Sequence, residues 1–300
     1  MKIIQSFWTK PFLQSGDSLK DSRMNGGWQA RRYNYFSLAL SCLQLRKFYD
    51  EVELVTDDLG KYLLIDKMKL PYTKVSLELN SLNEYHPGLW ALGKIEAYRI
   101  QDDPFLHVDN DIFIWDAFSE EIENAALVAQ NFETTVKDAT ATFNEIYTGL
   151  NYIPDYLQKL KGVESISYSN AGILGGTDVS FFKNYTREIF GFLHANEQYI
   201  NENIKNLNSA YINVIYEQMV FNQLADGSNK SITHLFPDEV DIPRDIGFFH
   251  EANRKYGGYM HCCGTFKKNR LIYELLELKL KEHYPEYYHL INDHINAIEI

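Results

Sequence analysis

The sequence predicts an α/β protein whose mostly parallel central sheet is covered by helices on both faces. Three observations predict it. Short apolar runs alternate with helix-periodic segments from the amino end to about residue 130. The run at 105–115, Phe-Leu-His-Val-Asp-Asn-Asp-Ile-Phe-Ile-Trp, is apolar on both faces, as a buried parallel strand is. The chain has 300 residues, 45% of them hydrophobic, so it can bury a core that needs no covalent staple.

Taken in order, residues 2–7 read as a first strand, followed by a polar, Gly- and Lys-containing loop to about residue 28. Loops after the first strand of such a sheet lie at its carboxyl edge, where ligands bind. Residues 29–49 are helical, with Phe36, Leu40 and Leu43 on one face, and 52–56 form the second strand. Asp57 or Asp58 caps a helix over 59–68 that Pro71 closes, and a third strand lies near 73–77. Residues 89–100 are helical and lead into the central strand at 105–115. Another strand is expected at 125–130. Residues 134–161 form a polar, mostly helical insertion, a lid or a wall of the cleft. The Gly-rich stretch 169–176 is a strand end whose glycines permit a close backbone approach to a ligand, and it opens a helix over 179–194. A further helix spans 207–224, and a helix over 269–282 with a polar tail ends the chain. The division that follows is one domain over 1–268, including the insertion, with 269–300 packed on it.

Composition narrows the function. The formal charge of −12, from 29 basic and 41 acidic residues, argues against a nucleic-acid or anionic-membrane surface. It leaves room for a phosphorylated ligand, because a bound cation and a few basic groups reverse the potential inside one cleft. Cys42, Cys262 and Cys263 are an odd set without framework spacing, which points to reduced thiols and a cytoplasmic setting. The amino end lacks the apolar core of a signal peptide, and no run reaches the roughly 18 apolar residues of a transmembrane segment. Oligomeric state is left open.

Within the central run, Asp109 and Asp111 stand two residues apart. In an extended backbone such residues point the same way, so both carboxylates leave the strand end together. Like charges a few ångströms apart repel, and a hard divalent cation between them is the natural remedy; a solvated turn between two strands is the alternative.

Four features then lie in order: Lys94, Asp109-Asn110-Asp111, Asn170-Ala171-Gly172, and His261-x-x-Gly264-x-x-Lys267. Together they resemble the glycosyltransferase A (GT-A) fold, and most the glycogenin and bacterial lipopolysaccharide galactosyltransferase type of nucleotide-sugar enzyme. The resemblance spans roughly residues 1–270 in motif order. It implies that Asp109, Asp111 and His261 bind manganese, or magnesium, and that the ion holds the diphosphate of a UDP-sugar donor. It places Lys267 and Gly264 at the diphosphate, Lys94 at the donor, Asn110 near the ribose, and Gln5, Ser6 and Phe7 at the base and ribose. The Asp and Asn-Tyr usual at the end of the first strand are missing here, which leaves the base open. Asn170 and Gly172 would line the sugar pocket. Glu217 and Gln218 stand where the relatives carry Asp-Gln, with the Gln near the anomeric carbon and the acid on sugar hydroxyls.

The implied activity is a metal-dependent hexosyltransferase, retaining by resemblance, that acts on a saccharide or glycan acceptor hydroxyl in bacterial surface glycan synthesis. The acceptor would be read by residues 134–161 and by the chain after 227. Two other readings stay open: a non-catalytic sugar-nucleotide or glycan-binding protein, and a nucleotidyltransferase on a similar fold. The latter would want a Gly-rich basic loop after the first strand, and residues 9–16, Thr-Lys-Pro-Phe-Leu-Gln-Ser-Gly, offer little of one. His107 and Trp115 read as packing residues, and Cys262 and Cys263 as buried thiols, because one strand cannot aim adjacent side chains at one ion.

Overall fold

Ten strands are present among the described residues: β1 Lys2–Phe7, β2 Val52–Thr56, β3 Lys74–Ser76, β4 Phe105–Val108, β5 Ile112–Ile114, β6 Val128–Glu133, β7 Tyr168–Ser169, β8 Ile173–Gly176, β9 Thr233–Phe236 and β10 Tyr259–His261. The computed structural model describes residues 1–13, 25–134, 137–205, 209–237, 240, 245–247 and 258–296. The chain divides into two compact units, one of Lys2–Asn83, Val108–Phe118 and Val240–Ile300, the other of Met1, Glu84–His107 and Ser119–Glu239.

In the first unit β1, β2 and β3 are parallel, with Ile3 opposite Val52 and Glu53 opposite Lys74. β1 is buried along most of its length, as a strand covered on both faces must be. Helix Arg31–Phe48 is buried nearly all round from Tyr33 to Leu45, so it works as a core helix and not as an amphipathic surface one. Helix Arg270–His283 buries Ile272, Leu276 and Leu280 in the same cluster, and the Tyr33 and Tyr273 rings lie 4.5 Å apart. The expected polar tail is instead a second helix, Pro285–Asn296, which begins on a proline and buries Ile291; Tyr288 sets its ring 5.5 Å from that of Phe36.

In the second unit the strand order is β4-β8-β6-β7, with β9 parallel to β6 on the far side. β8 and β7 are antiparallel to β6. The insertion holds helices Lys137–Tyr147 and Asp155–Gln158. The segment expected as one helix over 207–224 is helix Ser209–Val214, a π-turn Ile215–Met219 and helix Val220–Gly227. A π-turn widens the backbone ladder by one residue and turns its side chains out of helical register. The expected loop at 8–28 and this helical segment fall in part on residues 14–24 and 206–208, and the acceptor-reading stretch after 227 in part on 238–239, 241–244 and 248–257; all of these lie outside the described residues.

The glycines of β8 serve the packing of the sheet itself. A Cβ on Gly175 would stand 2.2 Å from the Phe105 carbonyl oxygen, and one on Gly176, whose φ is +144°, 2.1 Å from that of Ala126. They let neighbouring backbone approach closely. Gly175→Ala is therefore expected to cost about 1–3 kcal/mol through overpacking. Gly191→Ala, in helix Val179–Ala195 with open space around its Cβ, should gain up to about 1 kcal/mol by propensity. Opposite shifts of the melting temperature in the two variants check this.

Candidate metal centre

Asp109, Asn110 and Asp111 do not continue a strand. β4 ends at Val108, the Ile112 amide donates to the Asp109 carbonyl at 3.1 Å, and β5 resumes at Ile112. The aspartates thus sit in a tight turn, which corrects the alternating-strand expectation, yet their carboxylates still converge. The turn is held from below by residues of the first unit. The Ser37 hydroxyl donates to the Asn110 carbonyl at 2.8 Å, and the Asn110 side-chain amide donates to the Ser6 carbonyl at 2.7 Å. Gln5 is fully buried; its amide donates to Ser41 Oγ at 2.9 Å and to the Val108 carbonyl at 3.3 Å, and its oxygen accepts from the Tyr72 hydroxyl at 2.8 Å. Gln5 therefore steadies the residue that leads into Asp109. Phe7 is in the core, its ring 5.2 Å from that of Phe12. Ser37 and Ser41 escaped the sequence reading, although two serines four apart in the mostly apolar stretch 35–43 were a usable signal.

β10 delivers the imidazole. It runs antiparallel to β5 with His261 opposite Ile112, and the Cys262 amide donates to the Asp111 carbonyl at 3.0 Å. Register alone sets His261 beside Asp111: its Nε2 lies 3.5 Å from Asp111 Oδ1. One ligand atom from each of Asp109, Asp111 and His261 falls within 4.8 Å of the others. Ligands of one hard cation, with bonds of about 2.1–2.5 Å, stand at most about 4–5 Å apart. Two carboxylates with one imidazole suit manganese or magnesium. The residues present fit such an ion.

Lys267, on the 3₁₀ turn Gly264–Lys268, places its Nζ 2.6 Å from Asp111 Oδ2 and donates to the Gly26 carbonyl at 3.0 Å. Its ammonium lies 5.9 Å from the centre of the buried Trp28 ring. Burial pushes the Asp111 carboxyl up, but the Lys267 charge and then His261 outweigh it and hold the group far below the usual carboxylate range. For Lys267 burial acts downward, and Asp111 overcomes it, so the ammonium is held more firmly than usual. Gly264 has φ +58° and open space where a Cβ would be, so it is a glycine for its backbone angle. Burial pushes the Cys262 thiol up, as expected of an inert buried cysteine; Cys263 is only half-buried.

The other predicted residues lie in the second unit. Lys94 is 8% exposed and Glu217 fully buried. They form an ion pair at 2.8 Å, and Lys94 also donates to the Ala171 carbonyl at 3.1 Å. Neither is a solvated helix charge. Glu217 accepts at 3.4 Å from the Tyr98 hydroxyl, and its carbonyl accepts at 2.7 Å from that of Tyr185. Glu217 and Gln218 both sit on the π-turn, and the buried Gln218 Oε1 has no hydrogen-bond partner among the described residues. Asn170 donates to Glu133 at 2.6 Å and accepts from the Gly172 amide at 2.8 Å, closing an Asx turn. Thus three separate predicted pieces, Lys94, the Asn-Ala-Gly segment and Glu217, meet around one ammonium. His107 is buried beside Tyr98, with ring centres 5.2 Å apart, and packs as expected.

A family profile described as "Family of unknown function (DUF6734)" matches residues 1–294. The chain belongs to that family. No curated protein matches this family member in sequence. Among solved structures it is similar to galactosyltransferase LgtC in complex with donor and acceptor sugar analogs, at 12% identity over 98% of this chain and 96% of that one, with a TM-score of 0.43. An active-site mutant of LgtC matches at 11% identity over 88% of each chain, TM-score 0.42. Glycosyltransferase GlyE of Streptococcus pneumoniae TIGR4 matches at 11% identity over 99% of this chain and 64% of that one, TM-score 0.42. No helix among the described residues is long and apolar enough to cross a membrane.

Proposed function

We propose that this DUF6734 protein is a metal-dependent glycosyltransferase that moves a hexose from a nucleotide diphosphate sugar, a UDP-sugar, to an acceptor hydroxyl of a saccharide. The observation that carries the reading is the convergence of Asp109, Asp111 and His261 on one ion-sized volume, with Lys267 against Asp111. In this reading those three residues would hold manganese or magnesium, which would supply Lewis-acid stabilisation of the negative charge on a departing nucleoside diphosphate. Lys267 contacts the diphosphate as a point charge. Asn110, whose Oδ1 is buried with no partner among the described residues while its amide is tied to Ser6, offers a fixed acceptor to a ribose hydroxyl. Ser6, Phe7 and Gln5 support that end of β1. Lys94, Asn170, Gly172, Glu217 and Gln218 belong to the sugar pocket by the motif resemblance; the unpartnered Gln218 oxygen on a π-turn favours a ligand-facing role for that residue. A retaining outcome follows the same resemblance.

Incubation with UDP-glucose or UDP-galactose and manganese is the test, because water is itself a hydroxyl that can take the acceptor's place. UDP release is expected, with loss of at least about 100-fold on His261→Ala or on chelation of the metal. Manganese-dependent UDP binding without any UDP release would leave a binding protein, and release that ignores the metal would sink the proposal.

A further inference from the structure

Glu133 is an acid that no motif spacing marks. It ends β6 opposite Tyr168 of β7, and its Oε1 accepts from the Asn170 side-chain amide at 2.6 Å. The sheet sets this meeting: the Asn170 backbone amide donates to the Asn131 carbonyl at 2.9 Å, and the Gln130 amide donates to the Asn170 carbonyl at 3.0 Å. Glu133 and Asn170 are both half-buried, so solvent reaches them. Two tyrosine hydroxyls feel the Glu133 charge. That of Tyr168 is pushed up by burial and then by Glu133, and that of Tyr211 by burial, by Asp138 and then by Glu133. A carboxylate has about four acceptor positions, so the bond to Asn170 orients Glu133 without exhausting it. Glu217, the acid that motif order assigns to sugar hydroxyls, is placed differently. It is fully buried, 2.8 Å from Lys94, and accepts from the Tyr98 hydroxyl at 3.4 Å.

Resting on the transferase reading above, we infer that Glu133, and not Glu217, is the carboxylate that accepts hydrogen bonds from hydroxyls of the donor hexose, beside Asn170. A ligand cannot touch a group that solvent cannot reach, which removes Glu217 from direct contact. Glu217 instead backs the Asn170-Ala171-Gly172 segment from the interior, because its partner Lys94 donates to the Ala171 carbonyl at 3.1 Å. Glu133 meets the same segment where it is open to solvent. Sugar hydroxyls are donors, and a bond from a hydroxyl to an ionised carboxylate is about twice as strong as one to a neutral oxygen. Asn170 holds the Gly172 amide with its oxygen and Glu133 with its amide, so it is a positioning residue that sets the angle of the carboxylate.

The experiment is calorimetric titration of UDP, UDP-glucose and UDP-galactose, each with manganese, into the parent, Glu133→Gln and Glu133→Ala, with circular dichroism to confirm folding. The quantity read is the ratio of the affinity for a UDP-hexose to that for UDP, which isolates the contribution of the sugar. In the parent at least one hexose should raise this ratio above one. Glu133→Gln keeps the length of the side chain and an oxygen for Asn170 but loses the charge, and should lower the ratio at least about fivefold; Glu133→Ala should lower it at least about tenfold. A parent-like ratio in Glu133→Gln, with loss only in Glu133→Ala, would make Glu133 a prop for Asn170 and overturn the inference. Ratios unchanged in both variants, or a ratio of one for both hexoses in the parent, overturn it too, and all three results spare the transferase reading. Absence of manganese-dependent binding of UDP and of both UDP-hexoses by the parent overturns that reading and the inference with it.

Discussion

Alanine at His261 or at Asp111 is expected to abolish manganese-dependent binding of UDP, with an affinity loss above about 100-fold. Even changes to residues that only support a metal ligand cost about 10–100-fold, and in the proposed reading these two are the ligands themselves. The two variants differ in their side effects, which makes the pair informative. His261 is a terminal residue of β10, opposite Ile112. Shortening its side chain leaves the backbone pairing and the Lys267–Asp111 contact in place. Asp111→Ala also strips the partner from a buried ammonium, so it carries a stability cost that His261→Ala does not. Asp111→Asn, isosteric but neutral, separates loss of charge from loss of shape. The check is titration of UDP into metal-free protein with and without manganese, with circular dichroism to confirm that each variant is folded. Binding that needs no metal, or variants that bind like the parent, would remove the constellation as a functional unit.

Glu217→Ala should be the most destabilising single change among the predicted site residues, by about 3–5 kcal/mol. It removes the carboxylate 2.8 Å from Lys94 in a place where the acid is fully buried and the lysine nearly so. The attraction between two buried charges offsets their desolvation only while both are present, so removing one leaves the other without compensation. For a chain of this size the cost corresponds to a fall of roughly 10 °C in melting temperature. Replacing both partners, as Lys94→Met with Glu217→Leu, should recover most of the loss, because no buried charge remains. A double-mutant cycle measured by thermal or denaturant unfolding gives the coupling directly. A Glu217→Ala protein that melts within about 1 °C of the parent would mean that water or another cation already screens the pair.

Much of the architecture could be read along the chain because it depends on local pattern. The strands Lys2–Phe7 and Val52–Thr56 and the helices Arg31–Phe48 and Val179–Ala195 stand where hydrophobic period and capping place them. Asp178, for example, caps its helix by accepting from the Phe181 amide at 3.0 Å. Helix Pro285–Asn296 was missed because its apolar residues are interspersed with polar ones; Tyr288 against Phe36, with Tyr287 and Ile291 in the same cluster, gives it its helical face. At the centre, Asp109, Asp111 and His261 were legible as residue types at motif spacing. The turn that actually holds the aspartates was not, since an alternating reading cannot show that β4 stops at Val108 to let the chain swing to a second sheet.

Sequence alone therefore singled out which side chains of this protein are suited to metal and charge chemistry, because type and spacing are local quantities. Which charge meets which was decided only by tertiary structure. Lys267 lies against Asp111 and Gly26, Lys94 against Glu217 and Ala171, and Gln5 against Ser41, Val108 and Tyr72. Buried polar groups must find partners wherever the fold brings them, and those partners stand far off in the chain, beyond the reach of any periodicity.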